Sequence, residues 1–123
     1  MGEDAYTTRM EPRAVAGEPV DIGAIADAVS ERWYNETVYR VNDSYVRLAV
    51  VQGEYHWHHH DDGDEFFYVV DGHLFIEVEG RATVELGPRQ AFTVPRGIGH
   101  RPLAPERTVM LMVETSAVSP TGD

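Results

Sequence analysis

The sequence predicts an all-β domain, an antiparallel barrel or double sheet with one short helix ahead of it. Three observations carry this. From Thr37 onward, β-branched and aromatic runs alternate with turn residues. No helical pattern separates those runs, which excludes parallel βαβ architectures. A single apolar stripe of helical spacing, made by Ile22, Ile25, Ala26, Val29 and Trp33, precedes them.

Taken in order, residues 1 to 20 are polar and carry Pro12, Gly17 and Pro19, so they read as an extended, loosely attached arm outside the core. Asp21 is placed to cap the helix, whose stripe through Trp33 would lie against the barrel. Strands are predicted near 37–41, 45–52, 55–60, 66–71, 73–79, 81–86, 90–95 and 107–114. The breaks are Asn42-Asp43-Ser44, Asp61-Asp62-Gly63, Asp71-Gly72, Glu79-Gly80, Gly87-Pro88 and the segment from Pro95 to Pro105. The 123 residues thus divide into an arm and helix (1–36), a β-barrel (37–116) and a C-terminal tail (117–123). A single domain of this length buries roughly two-thirds of the surface its unfolded chain exposes, enough for one core.

Charge and composition exclude several function classes. With 21 acidic against 10 basic side chains the net charge is −11, which repels nucleic-acid phosphates and anionic membrane surfaces. The absence of cysteine removes disulfides, thiolate metal sites and a cysteine nucleophile, so any metal must take nitrogen and oxygen ligands. The first residues, MGEDAYTTRMEPR, show no basic region followed by an apolar run, so no secretory signal is expected and a cytoplasmic location is.

Most of the chemistry lies between Gln52 and Gly72. In a strand, alternate side chains share a face, so His58 and His60 converge while Trp57 and His59 turn away. Counting back, Val46, Leu48 and Val50 share the histidine parity if Gly53 introduces no bulge, which puts both imidazoles on the apolar, inward face. Buried imidazoles need partners, and a divalent cation satisfies them if a carboxylate offsets its charge. Glu65 opens the next strand and supplies one. His100 follows the irregular segment Pro95-Arg96-Gly97-Ile98-Gly99 and offers a fourth ligand. Three imidazoles and one carboxylate suit iron, manganese, nickel, copper, cobalt or zinc and disfavour calcium. His56 shares the ligand parity and is a candidate hydrogen-bond donor to a ligand side chain, proton shuttle or substrate contact. Gln52 and Tyr68 are candidate substrate-binding residues, and His59 and His73 read as non-ligands.

The spacing His58-x-His60, four residues, Glu65, six residues, Gly72 resembles the first motif of the cupin superfamily, and Pro95-x-Gly97-x-x-His100 resembles the second. The likeness spans about residues 45–114 and is closest to small microbial single-domain cupins. It implies a double-stranded β-helix, or jelly-roll barrel, with the metal held by His58, His60, Glu65 and His100. Three positions depart from the pattern. Four residues rather than five separate Gly53 from His58, Arg89 occupies a slot where glycine is expected, and Ala104 one where asparagine is expected. These slots shape turns and leave the ligand set intact.

Four protein ligands on an octahedral ion leave two positions for substrate, dioxygen or water. The expected function is that of a metal-dependent enzyme of dioxygenase, isomerase or lyase type. Its expected substrate is a small anionic or chelating metabolite, such as an oxygen-rich acid, an enol or a sugar derivative. A non-catalytic small-molecule-binding or sensor cupin is the alternative. Outward Trp57 and the open edge of the 37–41 strand predict a homodimer.

Overall fold

The computed structural model describes residues 6–116. The expected C-terminal tail, 117–123, lies outside the described residues. Within them run β1 (Thr7–Arg9), α1 (Ile22–Asp27), β2 (Trp33–Val41), β3 (Ser44–Glu54), β4 (Glu65–Asp71), β5 (Leu74–Val78), β6 (Val84–Leu86), β7 (Ala91–Val94) and β8 (His100–Thr115). The strands form one eight-stranded sheet in the order β1-β2-β3-β8-β4-β7, with β5 joining β8 to β6. Every pairing is antiparallel except β1 with β2. This is the expected all-β jelly roll with a short N-terminal helix.

Strand β8 organises the molecule. Its first residues pair with β5 through Val78 opposite His100, and its last pair with β3 on one side and β4 on the other. The curled sheet encloses a core of Trp33, Ala49, Val51, Phe67, Val69, Leu74, Ile76, Val94, Met110 and Met112 among others. A second cluster lies outside the sheet, where Leu48, Val50 and Val109 meet Ala26, Ile22, Ile25 and Val29 of the helical segment. The helix therefore does cover the barrel, through the predicted stripe. Asp21 caps it by accepting a hydrogen bond from the Ala24 amide at 3.0 Å.

Four expectations are corrected. The helix ends at Asp27, and Trp33 opens β2 with its side chain in the inner core, because a residue at helical spacing from Val29 also fits the first slot of the strand that follows. The arm is not loose. Thr7–Arg9 adds to β2, the Arg13 and Ala14 amides donate to the Thr37 and Val38 carbonyls, and Arg13 clasps buried Glu36 at 2.5 and 2.8 Å. Residues 55–60 do not form a ladder strand: Tyr55 donates to the Pro102 carbonyl, Pro102 has no N–H to return, and His58 and His100 make one isolated bridge. The last strand begins at His100 instead of near 107, since Pro102 faces Ile76 without interrupting the pairing.

The inward parity of β3 is also reversed. Gly53 takes φ +116, and the pairing of β3 with β8 shifts register between Val51 and Gly53. The ladder steps two residues along β3 there against four along β8, so the extra residues lie in β8 and Val51, Gly53 and Tyr55 keep one face, the inner one. The alternation breaks between Tyr55 and His58, beyond the end of the strand. Ala49 and Val51 thus face the inner core, while Leu48 and Val50 face the helix.

Candidate metal centre

His58, His60, Glu65 and His100 come together inside the barrel, each offering one ligand atom within 4.8 Å of the others. The elements explain the convergence. Glu65 is the first residue of β4 and His100 the first of β8. The loop between β7 and β8 docks on the turn before β4, with the Gly97 amide donating to the His60 carbonyl and the Arg96 amide to Asp64 Oδ1. The two sequence motifs are thereby laced to each other by backbone. His60, Glu65 and His100 are buried, and His58 is half-buried.

Hydrogen bonds set the tautomers. His58 Nδ1 lies 3.0 Å from the His56 carbonyl, and His100 Nδ1 lies 3.0 Å from the Ile98 carbonyl. A carbonyl only accepts, so each Nδ1 carries the proton and each Nε2 is left as a lone-pair donor. Glu65 Oε1 lies 3.2 Å from His60 Nε2 and 3.1 Å from His100 Nε2. With the His100 Nδ1 proton committed to Ile98, an unprotonated Nε2 faces a carboxylate oxygen, and two lone pairs in contact require a positive charge between or beside them. A divalent cation supplies it, so the residues present fit a metal ion.

The electrostatics agree. Burial pushes the His58 imidazole down to about 4, which keeps it neutral and ready to ligate near pH 7. Burial alone would raise the Glu65 carboxyl, yet the His100 and His60 imidazoles against it hold it below the usual carboxylate range. It is an anion at neutral pH.

Beside the cluster lies a cavity of ≈ 30 Å³, with His58 and Glu65 in its wall. Tyr6, Trp33 and Tyr55 form part of the same wall and pack as an aromatic triad. Neither tyrosine was legible as a lining residue. Tyr6 sits in a polar arm, and strand alternation would put Tyr55 and His58 on opposite faces.

The other candidates fall elsewhere. His56 is exposed at the rim, its ring 4.1 Å from that of Tyr55, and contributes its carbonyl to His58. Gln52 lines a separate surface depression with Arg32 and Glu54, and Tyr68 alternates with Phe67 on the face of β4 away from Glu65. His59 pairs with Asp61 at 2.8 Å and His73 with Glu85 at 2.7 Å, both outside the cluster. Trp57 is 52% exposed and is covered in part by Arg101, 5.8 Å from its ring centre. No helix among the described residues is long and apolar enough to cross a membrane.

Comparison with known proteins agrees with this architecture. An uncharacterised protein of Bacillus subtilis (strain 168), YdbB, is 45% identical over 91 residues, covering 74% of this chain and 80% of that one. The crystal structure of a cupin-2 domain containing protein from Shewanella frigidimarina is 27% identical with a TM-score of 0.73, covering 78% of this chain and 93% of that one. Protein NMB1881 from Neisseria meningitidis has the same TM-score at 21% identity, covering 80% of this chain and 100% of its own, a likeness of fold. The sequence model of the cupin domain matches residues 44–115, from the start of β3 to the end of β8. The chain therefore belongs to the cupin family.

Proposed function

We propose that the protein is a divalent-metal-dependent enzyme acting on a small anionic or chelating metabolite, with the metal held by His58, His60, Glu65 and His100. The observation that carries this reading is the convergence of four potential ligand residues, two of which, His58 and Glu65, stand in the wall of a cavity. A purely structural metal site has no use for an adjoining cavity. When bound, the metal supplies a Lewis acid that polarises a coordinated oxygen and, if redox-active, dioxygen chemistry.

The chain's own residues do the rest. The His56 and Ile98 carbonyls orient two imidazoles, Glu65 offsets part of the cation's charge, and the apolar wall excludes water from the site. Two charges of the ion against one carboxylate leave a net positive centre, which attracts an anionic head group into an acidic protein. Exposed His56 is the proposed group for exchanging a proton with solvent. The same reading includes a homodimer, for which the exposed side chains of Trp57 and Val41 and the edge strand β1 provide uncovered surface.

Elemental analysis of the purified protein, followed by dioxygen uptake on metal-loaded samples, tests it. About one transition metal ion per chain is the expected content. Uptake of dioxygen dependent on an added acid or enol assigns the dioxygenase type, and turnover without uptake assigns the isomerase or lyase type. Protein that takes up no divalent transition metal overturns the proposal.

A further inference from the structure

The wall of the cavity is far less polar than a site for an oxygen-rich metabolite requires. Apart from His58 and Glu65 of the metal centre, it is built from Phe67, Leu74, Met110, Met112 and the aromatic triad, with backbone and small apolar groups between them. The three rings of that triad have centroids 5.4, 5.6 and 5.7 Å apart, so they pack against one another and leave no slot in which a sugar ring could stack. A polyhydroxylated ligand would bring hydroxyls against hydrocarbon without partners, which is costly.

One polar atom in this wall is unused. Among the described residues the Tyr55 hydroxyl is buried and has no hydrogen-bond partner, whereas the Tyr6 hydroxyl is bonded to Asn35. Burial pushes both phenols up, Tyr6 to about 12, so both keep their protons and Tyr55 is available as a donor. The Tyr55 ring lies 5.3 Å from that of His58, at the metal end of the cavity.

We infer that the site takes a short-chain acid or enol with an oxygen-chelating head and an apolar tail, the head hydrogen-bonded by Tyr55 and the tail seated among Phe67, Leu74, Met110 and Met112. The size of the cavity, ≈ 30 Å³, gives room for roughly two water-sized groups in all, which limits the tail to about two carbons. The inference rests on the metal-dependent reading and narrows its substrate, setting sugar derivatives aside.

Three 2-hydroxy acids with the same chelating head test it: glycolate, 2-hydroxybutyrate and glycerate. The last two differ by a methyl in place of a hydroxyl. Protein loaded with Co²⁺, its metal content measured, is titrated with each acid and followed by calorimetry and by the visible spectrum of the metal. We expect 2-hydroxybutyrate to bind about tenfold more tightly than glycerate, with glycolate weaker than 2-hydroxybutyrate. Tyr55→Phe should weaken all three acids by about five- to tenfold, while metal content is unchanged and the urea midpoint is equal or higher, because the change removes an unpaired buried hydroxyl. A merely structural tyrosine would instead lose stability and leave binding alone. Protein that takes up no Co²⁺ overturns the metal reading and this inference together. Co²⁺-loaded protein that binds the three acids equally, or glycerate most tightly, overturns this inference alone.

Discussion

Arg47 Nε lies 3.8 Å from Glu114 Oε2, and both side chains are sealed inside the barrel. Arg47 also donates to Thr37 Oγ1 at 2.5 Å, and Glu114 is in hydrogen-bond contact with Glu65. A buried cation thus stands behind the carboxyl pair that includes the proposed metal ligand. Removing one partner of a buried ion pair strands the other, at a cost of roughly 3–5 kcal/mol. Arg47→Met and Glu114→Gln should each destabilise the protein by that order in urea unfolding, and the double variant should lose clearly less than their sum. Additivity within about 0.5 kcal/mol would show that the two do not act as a pair.

Alanine substitution of the adjacent histidines separates ligation from histidine richness. His58→Ala, His60→Ala and His100→Ala should each weaken metal binding by more than about 100-fold, beyond what loss of a supporting contact costs. Glu65→Gln should do likewise by deleting the anion. His59→Ala should leave metal content unchanged, since that side chain pairs with Asp61 outside the cluster. Metal analysis after dialysis against a weak chelator reads the difference, and loss of metal in His59→Ala would contradict the assignment.

Acid should destabilise the metal-free protein in two stages. His58 is held at about 4 by burial in the folded chain, against about 6.5 in the unfolded chain, so the unfolded chain binds the proton first as pH falls. The contribution of His58 is complete above about pH 6.5 and is lost between there and about 4, a loss on the order of 3 kcal/mol. Glu65, whose folded carboxyl is depressed, adds a further loss below its unfolded value of 4.5. A urea midpoint that stays constant from pH 7 to pH 4.5 would refute the first stage.

Arg89 is one of two non-glycine residues with positive φ among the described residues, at +68, in a slot where the family pattern expects glycine. Its amide donates to the Val69 carbonyl at 2.8 Å, so the conformation is held from outside. Arg89→Gly should stabilise the protein by about 1 kcal/mol, because glycine adopts this region without steric cost. Gly72→Ala is the converse. At φ +96 a Cβ there would lie 2.5 Å from Thr108 Oγ1 and 2.7 Å from the Arg107 carbonyl oxygen, and a loss of more than about 2 kcal/mol is expected. Thermal unfolding of both variants checks the signs.

The ligand cluster was readable because its information is local and doubly written. His58 and His60 stand two residues apart, a short acidic turn delivers Glu65, and His100 closes the second motif, Pro95-x-Gly97-x-x-His100. What escaped depended on partners distant in sequence. Trp33 matches helical spacing and strand alternation equally, and only its packing against Tyr6 and Tyr55 decides between them. The inward face of β3 turns on where the alternation breaks, between Tyr55 and His58, in a segment held by single hydrogen bonds to the Pro102 and His100 carbonyls instead of by a ladder. Tyr6 lines the cavity because β1 pairs in parallel with β2, a pairing no local pattern in a polar arm reveals.

The placement of β8 bears on how the protein matures. Its 16 residues are the shared neighbour of β3, β4 and β5, and they supply His100 and Glu114 as well. A nascent chain that has not yet released residues 100–115 from the ribosome can form the β2–β3 hairpin but has nothing to join it to β4 or β5. Neither the core nor the four-ligand cluster can exist at that stage. Any metal the cluster takes up must then be captured after synthesis of this strand, and the partly made chain, its sheet edges open, is the species most in need of protection by chaperones.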